Sequence, residues 1–206
     1  MSDQNAKRRY DSTSRKAAAT ETRERICVAA EELFLVKGYA RTSIGSVAKA
    51  AGVGEATVYL AFENKPALLN AVILRAVQDN DSRDLEEISE AKPEDLLSRF
   101  AAGQAAVLER AASLIALGES ATRMDAELRP FRDRAQRNLR AAFRSIAEQL
   151  DAGGLLRVDV EVAADTIYAI SSETTYLRMT EGAGMPTERY GRWLDETLTA
   201  ALCAST

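Results

Sequence analysis

TSIGSVAKAAGVGEATVYLAFENKPALL, residues 42–69, reads as two short helices joined by a glycine turn and followed at once by a third. Ile44, Val47 and Ala48 recur at helical spacing on one face, and Thr42 or Ser43 stands where a hydroxyl caps the first orphan N–H groups. Ala51-Gly52-Val53 breaks the run: Gly52 accepts the positive φ of a tight inter-helix turn, and Val53 turns back toward the core. The second helix extends from Gly54 to Phe62 with Val58 and Phe62 on its buried side. That leaves Glu55, Ala56, Thr57, Tyr59 and Leu60 spread over the other faces. Asn64 is then placed to cap a third helix whose first turn holds Lys65 and Pro66, a position where proline removes no intrahelical hydrogen bond.

Upstream, TETRERICVAAEELFLVKGY, residues 20–39, carries one apolar stripe of Ile26, Ala30, Leu33 and Phe34, and Gly38 is placed to end its helix. These helices share one core, the organisation of a helix-turn-helix, whose second helix enters the major groove while the first crosses the backbone. The spacing predicts a DNA-facing set of Thr42, Ser43, Gly54, Glu55, Ala56, Thr57, Tyr59, Leu60 and Lys65. Small residues at 54 and 56 permit close approach to the duplex, the Thr57 and Tyr59 hydroxyls suit phosphate oxygens, and Lys65 at a helix N-terminus suits an anion. Glu55 either accepts from cytosine N4 or pairs with a neighbouring Lys or Arg, and Leu60 either meets a thymine methyl or simply packs.

Over its first 70 or so residues the chain resembles the tetracycline-repressor (TetR) family of bacterial transcriptional regulators. The resemblance rests on Ile26, Ala29, Ala30, Leu33, Phe34, Gly38, Tyr39, Thr42, Ser43, Val47, Ala48, Ala51, Gly52, Val53, Thr57, Tyr59, Phe62, Lys65 and Leu68. It implies an all-α, homodimeric repressor whose head grips a palindromic double-stranded operator and whose larger C-terminal domain holds a small-molecule effector and the dimer interface. Three positions depart from the family pattern. Gly45 replaces a polar helix former, Gly54 replaces the usual serine cap, and Glu55 replaces a basic or neutral polar residue. A mid-helix glycine costs about 1 kcal/mol relative to alanine.

The formal net charge of -4 conceals an asymmetry. Residues 1–75 carry 12 Lys+Arg against 8 Asp+Glu, whereas residues 76–206 carry 15 against 23, so only the head is basic. Much of that charge lies in a polar arm, residues 1–19, where Lys7, Arg8, Arg9, Arg15 and Lys16 show no apolar periodicity and disorder is expected. Such an arm either enters a minor groove or remains a solvated tail. The expected division is this arm, a DNA-binding domain over 20–65, and a helical body over 66–206.

No histidine occurs, which removes the commonest general base and metal ligand, and there is no nucleophile elbow, P-loop or dinucleotide fingerprint. Neither catalytic residues, metal nor cofactor is expected. The start lacks a signal-peptide pattern, and no stretch is read as approaching the roughly 18 apolar residues of a membrane span, so the expectation is a cytoplasmic protein without a membrane partner. Cys27 and Cys203 lack metal or redox spacing and read as small core residues.

Breaks near Pro93, Pro130, Gly153-Gly154 and residues 182–186 divide the body into predicted helices over 66–89, 93–109, 111–124, 127–151, 159–181 and 187–203. The last two carry apolar stripes, and Ile167, Ile170, Thr174, Leu177, Tyr190, Trp193, Leu194, Thr197, Leu198 and Ala201 are the dimer candidates. Those stripes meet a symmetry mate, pack within one subunit, or do both. Phe100, Gln104, Leu108, Leu117, Met124, Phe131, Phe143, Tyr168 and Tyr176 are either effector-pocket walls or core, with Glu119 or Glu173 as counter-charge for a cationic effector. The alternative to a regulator is a helical adaptor or ligand-binding protein that keeps the motif only as scaffold.

Overall fold

The computed structural model describes the backbone of residues 3–78 and 92–204 and the side chains from residue 16 onward. Among the described residues it is all helix, with one isolated antiparallel bridge between Leu156 and Cys203. The chain divides into two compact units, Met1–Val72 and Ile73–Thr206.

In the first unit, α1 (Asp3–Arg41) packs on α2 (Ile44–Ala51) and α3 (Glu55–Phe62), and α4 (Lys65–Gln78) begins after a short turn. The core forms because Ile26, Ala30 and Phe34 recur every four residues on α1 and lose all solvent exposure together with Val47, Val58, Leu68, Leu69 and Val72. Gly38 interrupts α1 at φ 76°, ψ 167°, where the left-handed φ favours glycine. α1 is helical in its backbone from Asp3, within the span expected as a polar arm. Periodicity registers packing, not propensity, and the Lys16-Ala17-Ala18-Ala19 run carries a helix upstream at little cost once residues 20–37 have nucleated it. The side chains of Lys7, Arg8, Arg9 and Arg15 lie outside the described residues.

The second unit is built on α5 (Leu96–Ala121) and α6 (Arg129–Ala152), each entered through a 3₁₀ turn (Pro93–Asp95 and Ala126–Leu128), followed by α7 (Val160–Ile170), α8 (Glu173–Leu177) and α9 (Thr187–Leu202). α9 lies along α5 and α7 along α6, burying Phe100, Ala101, Phe143, Ala147, Ile167, Leu194 and Leu198 in one core. The helices approach closely at Gly191, where an added Cβ would stand 3.4 Å from the Ala105 Cβ.

Two expected boundaries change and a third lies partly outside the described residues. α5 runs unbroken to Ala121, because Glu109-Arg110-Ala111-Ala112 contains only good helix formers and no stop signal. The expected helix over 159–181 is instead α7, α8 and a π-helical turn, Arg178–Gly182. Ser172 divides it by taking the N-cap role: its Oγ accepts from the Thr175 N–H at 3.3 Å. The expected helix over 66–89 is described only to Gln78, and residues 79–89 lie outside the described residues. Gly154 closes α6 at φ 69°, with N–H bonds from Gly154 to Asp151 O (2.8 Å) and from Leu155 to Leu150 O (3.1 Å), a Schellman ending. The 93–121 segment is also long and apolar enough, by length and composition alone, to cross a membrane, which corrects the expectation that no stretch approaches that limit. Its alanines and leucines serve the body's core: Leu96 and Ala101 are fully buried in it.

Candidate nucleic-acid interface

Local chemistry closes α2 at both ends. Ser43 Oγ accepts from the Ser46 N–H and Ser46 Oγ accepts from the Ser43 N–H, each at 3.1 Å, a reciprocal capping box. At the other end Gly52 sits at φ 66°, ψ 37°; its N–H donates to Lys49 O (3.3 Å) and the Val53 N–H to Ala48 O (3.0 Å). This pair of bonds is a Schellman motif, and it aims the chain into α3.

α3 separates its faces cleanly. Val58 and Phe62 are buried, Thr57 is half-buried, and Gly54, Glu55, Ala56, Tyr59 and Leu60 are exposed. Leu60, at 89 % exposure, is the most open large apolar side chain among the described residues. The Glu55 carboxylate lies against α2: a Cβ placed on Gly45 would stand 2.7 Å from Glu55 Oε1. Past α3, Glu63 holds φ 58°, an unusual value for a residue with a side chain, and turns the chain into α4. Asn64 caps α4 as expected, its Oδ1 accepting from the Ala67 N–H at 2.8 Å. Lys65 is half-buried, with Nζ 4.0 Å from the centroid of the Tyr39 ring. Tyr39 in turn stacks on Phe34 at 5.9 Å, so the basic group is tied through two aromatics to the head's core.

Thr42, expected on the DNA face, is instead 2 % exposed. Its hydroxyl donates to the carbonyls of Leu33 (3.1 Å) and Gly38 (2.9 Å), so it folds the connection to α2 back onto the kinked end of α1. Arg23 was not legible as part of this region. Its guanidinium lies 3.9 Å over the Phe62 ring and donates to the Ala61 carbonyl, placing a cation at the C-terminal end of α3. No periodicity marks it, because Arg23 and Ala61 are brought together only by packing.

The body's candidates divide by burial. Ile167, Tyr190, Leu194 and Leu198 are fully buried within one subunit, which removes them from any contact with a second. Each lies at the centre of its stripe, where intramolecular packing takes precedence. Ile170, Leu177, Trp193, Thr197 and Ala201 are half-buried and Thr174 is exposed. Among the pocket candidates, Phe100, Leu108, Phe143 and Tyr176 are buried, while Gln104, Leu117, Phe131 and Tyr168 are half-buried. Phe100 meets Phe143 edge-on at 5.5 Å, and Phe143 meets Tyr168 at 6.4 Å. Tyr176 packs on Tyr190 at 4.9 Å with its hydroxyl 2.9 Å from Thr187 Oγ1, and Gln104 Nε2 donates to Ser171 O at 2.8 Å. Met124, 63 % exposed, lies past the end of α5. Partial burial pushes the Glu119 carboxyl above its ordinary range, Arg132 opposes this, and Glu173 adds to it. Burial likewise raises the Cys203 thiol, which opposes activation.

The family model described as bacterial regulatory proteins, tetR family, matches residues 26–72, the span from the middle of α1 into α4. The chain is 38% identical over 80 residues to the HTH-type transcriptional regulator TtgR of Pseudomonas putida, covering 38% of this chain and 38% of that protein. It is 41% identical over 61 residues to the HTH-type transcriptional repressor BepR of Brucella suis, covering 30% of this chain and 29% of that protein. The match therefore spans well under half the length of these curated relatives. Among solved structures, NalD, the secondary repressor of the MexAB-OprM multidrug efflux pump in Pseudomonas aeruginosa, matches with a TM-score of 0.71 at 24% identity, covering 91% of this chain and 99% of that one. That likeness extends the shared fold through the body.

Proposed function

We propose, taking as premise that this chain belongs to the tetR family of bacterial regulatory proteins through its N-terminal domain, that it is a cytoplasmic transcriptional repressor. It binds a palindromic double-stranded operator as a homodimer and is released by a small molecule. It is a DNA-binding regulator and not an enzyme. The observation that carries the reading is the face of α3. A helix with Val58 and Phe62 buried leaves Glu55, Ala56, Tyr59 and Leu60 in solvent, between a capped α2 and the Lys65 end of α4. Ser43, Thr57 and Tyr59 supply hydroxyls for phosphates, and Lys65 supplies charge at a helix N-terminus. The repressor sense is carried over from BepR, a transcriptional repressor, and NalD, a secondary repressor of an efflux pump.

For the homodimer, the half-buried Ile170, Leu177, Trp193, Thr197 and Ala201, with exposed Thr174, are the stripe residues left over for a symmetry mate. Two heads at a fixed separation then match two half-sites. An effector favouring the wrong separation weakens operator binding by its own coupling free energy, with Gln104, Leu117, Phe131 and Tyr168 as the candidate walls. The test is genome-wide selection of bound fragments followed by salt titration on the enriched site. Lys65→Ala should reduce the slope of log K against log salt by roughly one unit. Tyr59→Phe should weaken binding to all duplexes alike. Enrichment of no fragment by the full chain sinks the reading.

A further inference from the structure

Gly45 and Glu55 are each unusual at their positions, and the structure joins them. Gly45 is not among the positive-φ glycines, so no backbone conformation demands glycine there. It occupies the first turn of α2, where glycine weakens a helix relative to alanine. What glycine supplies at 45 is space, and Glu55 fills it. A Cβ on Gly45 would meet Glu55 Oε1 at 2.7 Å, Cδ at 3.3 Å and Oε2 at 3.9 Å. The first distance is too short to persist. The atom that would move is the far end of a flexible side chain, so alanine at 45 would shift the carboxylate while leaving the helices in place.

We propose that Gly45 is a positioning residue for sequence recognition: the notch it leaves in α2 seats the Glu55 carboxylate at the head of α3, where it reads an exocyclic amino group on a base edge. This role rests on the operator-binding reading above. A seated carboxylate has already lost rotamer freedom, so less is lost when it engages a base. A carboxylate only accepts, and it favours an edge that offers a donor. Cytosine presents the N4 amino group alone, whereas adenine sets its amino group beside the N7 acceptor, which repels a carboxylate. Cytosine is therefore the base selected. Ala56, next on α3, adds no bulk that would hold this end of the helix off the groove.

The test is in vitro selection from randomised duplexes with the full-length protein, comparing wild type, Glu55→Ala, Gly45→Ala and the double variant, with thermal melting of each. Wild type should prefer cytosine at one position per half-site by roughly tenfold. Glu55→Ala and Gly45→Ala should each flatten that same position and leave the others intact. Gly45→Ala should add nothing in the Glu55→Ala background. The melting temperature of Gly45→Ala should be no lower than wild type, which separates positioning from a merely structural role. An unchanged base profile for Gly45→Ala overturns the assignment. So does a uniform gain in affinity for every duplex in Glu55→Ala, the mark of a carboxylate that only repels phosphate. If wild type enriches no sequence, the operator reading itself fails; if it enriches one and Gly45→Ala matches it throughout, only the role of Gly45 fails.

Discussion

The head and the body are both helical, yet they are held by different kinds of information. In the head, elements end where groups a few residues away close them: the Ser43 and Ser46 hydroxyls at the start of α2, the backbone turn at Gly52 at its end, and the Asn64 side chain at the start of α4. In the body the same devices occur at Ser172, Asp159 and Gly154, but the helix faces they deliver have two competing destinations. α9 presents Tyr190, Leu194 and Leu198 to its own subunit and leaves Trp193, Thr197 and Ala201 half-buried alongside. A narrow stripe on a short helix has one possible partner, whereas a wide one has two. Local rules suffice for the first and not for the second.

That contrast is open to test at several points. Phe34→Ala removes a fully buried ring that stacks on Tyr39, and should destabilise the head by about 3–5 kcal/mol with loss of DNA binding, read by chemical denaturation and by fluorescence anisotropy on an enriched site. A small effect would mean that the head does not depend on its aromatic pair. Ser43→Ala cancels the capping box of α2 and should cost about 1 kcal/mol, recovered in part by Ser43→Asn. No change in the denaturation midpoint would count against local closure as the source of the head's definition.

In the body, the hydroxyls of Ser171 and Tyr190 are buried without a hydrogen-bond partner among the described residues. Burial pushes the Tyr190 phenol up to about 12, so it stays neutral throughout the working range. Tyr190→Phe should therefore stabilise the body by about 1 kcal/mol, because an orphan polar group is removed while the ring remains. Destabilisation in the same denaturation series would reveal a partner for that hydroxyl.

The smallest effect concerns Glu119. Its folded-state value is raised above the ordinary 4.5, so the native state keeps its proton to higher pH than the unfolded chain does. This contribution is fully present below about 4.5 and is lost as pH rises through the raised value. Glu119→Gln should flatten that decline in a series of denaturation curves across the interval. An unaltered slope would place the acid in freer contact with water than its neighbours imply.

Much of the head was legible from residue order. The two caps, the turn at Gly52 and the buried pair Val58 and Phe62 all follow from interactions within about five residues, where chain connectivity alone brings the groups together. The all-helical class was legible for the same reason, since periodicity reports which residues share a face. Thr42, Arg23 and the Gly45–Glu55 contact were not. Thr42 folds back on the end of α1 only because the chain kinks at Gly38, and the other two join groups from different helices, whose meeting depends on how α1, α2 and α3 cross. In the body, only packing decided that Tyr190, Leu194 and Leu198 face inward, because an apolar stripe minimises its exposed area equally well against its own subunit or another, and the choice lies in the geometry of the surrounding helices.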